Sequence, residues 1–252
     1  MEVHTHTHTT DPDIHRGRKK WAHYFWEFLM LFLAVFCGFL AEYQLEHKIE
    51  SDRGKQYIVS MYEDLKMDTI ALNSIIQNRN RRNEMLDSIF LLMDNPGDHI
   101  SDLYFYARHI TRTAPVLFFN NDRTIQQLKY SGGLRLITNK TVSDSIMIYD
   151  KQVRLVLERQ ETEIANIREC LPYYYKIFDG RVFMKMMDDN NVVSRPLSSP
   201  SLLKFSEQDA NTFLGYCQTI KANNVGNSSH SKILKEKAVA LIEIIKNEYH
   251  LK

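Results

Sequence analysis

Apolar residues fall in two patterns along this chain. Residues 21–43 read WAHYFWEFLMLFLAVFCGFLAEY, and from 24 to 41 only Glu27 carries a charge. That stretch of about 18 residues makes roughly 27 Å of helix, close to one hydrocarbon core. From Ile58 the pattern becomes a helical stripe of Ile58, Met61, Leu65, Leu72, Ile76, Leu86, Ile89 and Met93, which Asn95-Pro96-Gly97 should end. The pattern predicts a mainly α chain: one N-terminal transmembrane helix continuing into a long helix of an extramembrane helical bundle. Glu42–Arg53 reads as a charged helical stalk between the two, and Gly54 as the weak point of the long helix.

Further helices are predicted over 101–113, 122–131 and 141–175, with Pro172 expected to bend or end the last near Cys170. Residues 180–205 are irregular, with a small hairpin expected around Val182–Met184 or Val192–Val193. Ser206, with Asp209 at capping-box distance, should open a helix to about residue 223. The polar run NNVGNSSHS at 223–231 reads as a loop before a final amphipathic helix, 232–250. Three segments result: a polar, disordered, His-rich stretch 1–20, the transmembrane helix 21–43, and a helical extramembrane domain 44–252.

Charge refines the topology. Lys19 and Lys20, with Arg16 and Arg18, precede the span, whereas its other flank mixes signs. That bias predicts a cytoplasmic N-terminus and an external C-terminal domain. Trp21, Tyr24 and Trp26 at one end and Tyr43 at the other suit the headgroup level. A cleaved signal peptide shares the basic start and apolar run, but no small-x-small cleavage site follows, and Phe36 before Cys37 does not suit a lipoprotein cysteine. A retained anchor in the lipid bilayer is therefore expected. Lys+Arg 32 against Asp+Glu 31 leaves a net charge of +1, which gives no field for nucleic acid.

Candidate chemistry is sparse. Glu27 stands out, because a carboxylate inside a span is costly and tends to face a partner or water. It is read as an intramembrane polar contact with another membrane protein or a second copy, against a side chain that snorkels to the interface or a site coupled to ion movement. His4, His6 and His8 alternate with threonine and could hold a transition metal weakly. The RNRR run at 79–82 is read as a solvated helix face rather than a contact for an acidic partner, and DDNN at 188–191 as a polar turn that lacks calcium-loop spacing. Tyr173, Tyr174 and Tyr175 could line a ligand pocket but read as core packing at a helix end. Cys170 and Cys217 are either an external disulfide or reduced core thiols. No phosphate loop, HExxH, GxSxG or GxGxxG occurs, and no cofactor is expected.

The block RKKWAHYFWEFLMLFLAVFCGFLAEYQLEHKIESDRGKQYI, with its histidine-rich start, resembles a group of uncharacterised single-pass membrane proteins of Bacteroidetes-type bacteria. The segment TIQQLKYSGGLRLITNKTVSDSIMIYD is similar to one that recurs in the same group. The resemblance implies a retained anchor, a natural histidine-rich start, and a bacterial inner membrane with a periplasmic domain. It implies no activity. Three functions remain in view: a non-catalytic scaffold or interaction subunit with an envelope partner or as a homo-oligomer, a periplasmic ligand-sensing domain working through a separate partner, and an enzyme with an unrecognised site around 180–205.

Overall fold

The structure is a computed structural model that describes residues 16–190, 192–197 and 200–251. Six α-helices are formed by these residues: α1 (Arg16–Asp94), α2 (Ile100–Ile110), α3 (Arg123–Tyr130), α4 (Lys140–Ile177), α5 (Gly180–Lys185) and α6 (Glu207–Tyr249). The fold is mainly α, as the apolar pattern predicts. The chain divides into two compact units, Met1–Arg53 and Gly54–Lys252.

In the first unit, the described part of α1 is helix long and apolar enough to cross a membrane. Trp21, Tyr24, Trp26 and Tyr43 all turn large exposed rings outward. Such a surface, unburied by protein, is what lipid would cover. Lys19 and Lys20 fall in the first turns of the helix. His4, His6 and His8 lie outside the described residues.

The second unit is built on three long helices. Buried positions along α1 run Ile58, Met61, Leu65, Asp68, Leu72, Ile75, Arg79, Arg82, Leu86 and Ile89. Their intervals alternate between three and four, the heptad rhythm of a coiled coil. The α4 series Val142, Ile146, Tyr149, Val153, Val156, Gln160, Glu163, Ile167, Cys170, Tyr174 and Ile177 keeps the same rhythm. So does α6, through Phe213, Cys217, Ile220, Asn224, Asn227, Ser231, Leu234, Ala238, Leu241 and Ile245. Residues 58–75 of α1 pack with 142–156 of α4 and 234–245 of α6, and residues 86–89 with 167–177 and 213–220, so α1 and α4 run parallel and α6 antiparallel. Two apolar cores result. One holds Leu65, Leu72, Val153 and Leu241, and the other holds Leu86, Ile167, Cys170, Phe213 and Cys217.

Local chemistry sets the ends. Pro96 and Gly97, the latter at φ 42°, stop α1. Asn139 caps α4 by accepting from Val142 N at 3.1 Å, and Ser206 caps α6 by accepting from Asp209 N at 3.0 Å. α1 runs unbroken through Gly54. This glycine is buried where a Cβ would stand 2.5 Å from the Leu136 carbonyl oxygen, so glycine permits a close approach of the 3-10 turn Gly133–Leu136. Pro172 lies inside α4, which continues to Ile177 because Tyr174 and Ile177 are buried in the second core. The expected hairpin is reduced to one antiparallel bridge, Met187 with Val193. The expected loop at 223–231 is corrected: α6 passes through it unbroken.

Candidate functional site

Between the two apolar cores, the heptad positions of all three long helices turn polar at the same level. Arg79 and Arg82 come from α1, Gln160 and Glu163 from α4, and Asn224, Asn227, Ser228 and Ser231 from α6, and all are buried. The reading of 79–82 as a solvated face is therefore corrected for Arg79 and Arg82, whereas Arg81 is exposed. Three and four residues along a helix return to one face, so an i, i+3 pair of arginines enters the seam while the residue between them looks outward.

Glu163 is the centre of the layer. Its Oε2 accepts from Arg79 Nη1 at 2.9 Å and from Asn227 Nδ2 at 2.6 Å, and its Oε1 accepts from Arg82 Nη1 at 2.9 Å. Asn224 is tied to α1 through both ends of its amide. Its Oδ1 accepts from Arg79 Nη1 at 2.9 Å, and its Nδ2 donates to the Arg79 carbonyl at 2.7 Å and to Asn83 Oδ1 at 2.8 Å. Two buried guanidinium groups thus share one carboxylate, and the Nε atoms of Arg79 and Arg82 meet no acceptor. Burial lowers the Arg82 pKa to about 10; the Glu163 carboxylate opposes that shift and the Arg79 charge adds to it.

The layer also fastens the segment that returns from α2 to α3. Arg79 Nη2 donates to the Val116 carbonyl at 2.8 Å, and Arg82 Nη2 donates to the carbonyl of Ile110, the last residue of α2. Gln160 takes both backbone groups of Phe118, accepting from its N at 2.6 Å and donating to its O at 3.1 Å. A chain crossing a bundle must satisfy its peptide groups, and these side chains do so where no helix or sheet is available. Further along, Asp68 accepts from Tyr149 Oη at 2.6 Å and from Asn121 N and Nδ2, while Asp64 accepts from Thr124 Oγ1 at 2.5 Å. Burial raises the Asp68 pKa against those hydrogen bonds.

The other expected residues are dispersed. Glu27 is exposed on α1 and has no hydrogen bond or ion pair with the described residues. Cys170 and Cys217 are free, buried thiols in the second core; the neighbouring Cys170 thiol and burial both push the Cys217 pKa up. Tyr174 packs with Phe178, Phe183 and Phe213, Tyr173 stacks on Tyr216, and Tyr175 is exposed. Asp188 closes a polar turn by accepting from Asn190 N and Val192 N. Among the described residues no cluster of His, Cys, Asp and Glu has the geometry to hold a metal ion.

The sequence signal for the polar layer lies in the heptad register. Counting positions by spacing regardless of polarity places Arg79, Arg82, Gln160, Glu163, Asn224 and Asn227 on the same seams as the flanking leucines and isoleucines. Comparison with known protein families, with curated proteins and with solved structures finds no match for this chain.

Proposed function

We propose that this protein is a membrane-anchored interaction subunit of the bacterial cell envelope, non-catalytic in itself. Its N-terminus is cytoplasmic and its helical domain periplasmic. The observation that carries the reading is Glu27: a carboxylate within the apolar stretch of α1, exposed and without a partner among the described residues. In lipid such a group costs several kcal/mol, by roughly 2.5–3.5 kcal/mol on insertion scales for an acidic residue at mid-span and less near the interface. A polar group on a neighbouring span, from an envelope protein or a second copy of this chain, would offset that cost. The basic flank before the span supports the orientation, and the resemblance of the anchor block supports the inner membrane.

The test is purification of the full-length protein from its native membrane in mild detergent, with the mass of the complex and the identity of co-eluting proteins. A stoichiometric partner or a defined oligomer, lost in Glu27→Leu, is expected. An unchanged complex in that variant would remove Glu27 from the account, and a monomer in both would refute the interaction reading. A second reading, a ligand-sensing domain, is favoured by one specific observation: a cavity bordered by the arginines of the polar layer.

A further inference from the structure

The cavity has a volume of about 250 Å³, and Asn78, Arg81, Arg82, Met85, His109 and Arg112 contribute to its wall. A water occupies about 30 Å³ of liquid, so the space admits a molecule of several heavy atoms. Three arginines from two directions border it: Arg81 and the buried Arg82 from α1, and Arg112 from the turn after α2.

Their charges are poorly compensated. Arg81 is exposed and Arg112 half-buried, and neither has a carboxylate partner among the described residues. Arg82 is buried, shares Glu163 with Arg79, and keeps an Nε that meets no acceptor. Two buried cations against one anion leave an excess positive charge behind the cavity wall. His109 Nδ1 stands 2.8 Å from the Phe105 carbonyl, which requires Nδ1 to donate and leaves Nε2 as the ring's remaining polar atom. Planar guanidinium forks suit oxyanions, which they can bind with two parallel hydrogen bonds. The excess charge of the buried layer, held out of water behind the wall, is screened less than a charge on an open surface.

The geometry points to a binding site for a small, multiply charged oxyanion of the phosphate or dicarboxylate class, held by Arg81 and Arg112 in the field of Arg82. This deepens the ligand-sensing reading and is independent of the Glu27 contact, so either can fail without the other. The carboxylate or phosphate group would sit against the two accessible guanidiniums, and the Met85 side of the cavity would accept an apolar part of the ligand.

The experiment is calorimetric titration of the full-length protein in mild detergent with inorganic phosphate and, separately, with succinate, each at ionic strength matched with sodium chloride. One saturable site per chain is expected for at least one of the two anions, and which one binds assigns the class. Arg112→Gln and Arg81→Gln should each weaken it by about tenfold or more, since each removes charge-assisted bonds. Arg168→Gln, on the exposed face of α4, should leave it unchanged. Should Arg112→Gln fail to fold, Arg81→Gln decides, because that side chain is exposed. Absence of saturable binding with both anions, or equal affinity in the wild type and both cavity variants, would overturn the assignment.

Discussion

Replacing Glu163 by glutamine removes the negative charge shared by Arg79 and Arg82 while keeping side-chain size. The carboxylate accepts three hydrogen bonds, at 2.9, 2.9 and 2.6 Å, two of them from guanidinium groups. At about 1.5–3 kcal/mol for each bond to a charged group, a simple sum reaches roughly 4.5–9 kcal/mol. The amide keeps one acceptor oxygen, however, and turns an NH₂ toward a donor, so part of that sum is retained and part becomes repulsion. Breaking a buried ion pair from one side costs about 3–5 kcal/mol, and that smaller range is the expected one here. For a folded unit of this size it corresponds to a fall in Tm of about 6–20 °C. The assay is thermal and urea unfolding of the full-length protein in mild detergent, followed by far-UV circular dichroism, with the wild type alongside. The triple change Arg79→Met, Glu163→Met, Arg82→Met strands no ion, but it leaves the Ile110 and Val116 carbonyls and the Asn224 and Asn227 amides short of partners, so it should still destabilise, by about 1–3 kcal/mol for each group left without one. A loss below about 1 kcal/mol for Glu163→Gln would refute the reasoning, since surface ion pairs contribute that little.

Gly54→Ala should destabilise by about 1–3 kcal/mol in urea unfolding, because its Cβ would meet the backbone oxygen of Leu136, which cannot turn aside. Gly226→Ala meets the far end of the Arg159 side chain instead, so it should lie within about 1 kcal/mol of wild type once the helix preference for alanine is included. Asp68 has its folded pKa raised by burial, so its contribution to stability is fully present below the unfolded carboxylate value and is lost as pH rises through the folded one. Asp68→Asn should therefore gain on wild type in urea unfolding as pH rises above the ordinary carboxylate range, and a difference independent of pH would contradict this. Cys170 and Cys217 should react with a thiol reagent at the rate of unfolding, and fully in denaturant; fast labelling of either of them in the native protein, told apart from the exposed Cys37 by peptide mass, would contradict their burial.

Sequence pattern alone determined the class of the fold, the apolar helix near the N-terminus, and most helix ends. Those features depend on local quantities: hydrophobic period, a proline or glycine at a boundary, and a serine two or three residues before an amide that needs an acceptor. It failed at 79–82 and at 223–231 for one shared reason. Arginine, asparagine, serine and glycine have helix and burial preferences set by water, and by those preferences the first run belongs outside and the second in a loop. Arg79 and Arg82 are buried because Glu163 and two backbone carbonyls wait for them, and α6 stays helical because Asn224 and Asn227 find partners on α1 and α4. Each run is the other's explanation, and they are separated by more than a hundred residues, so neither can be read by itself. The cavity beside Arg82 depends on the same meeting of α1 with the turn after α2. Tertiary structure decided these points because a buried charge or amide is tolerated only where its partners are already in place.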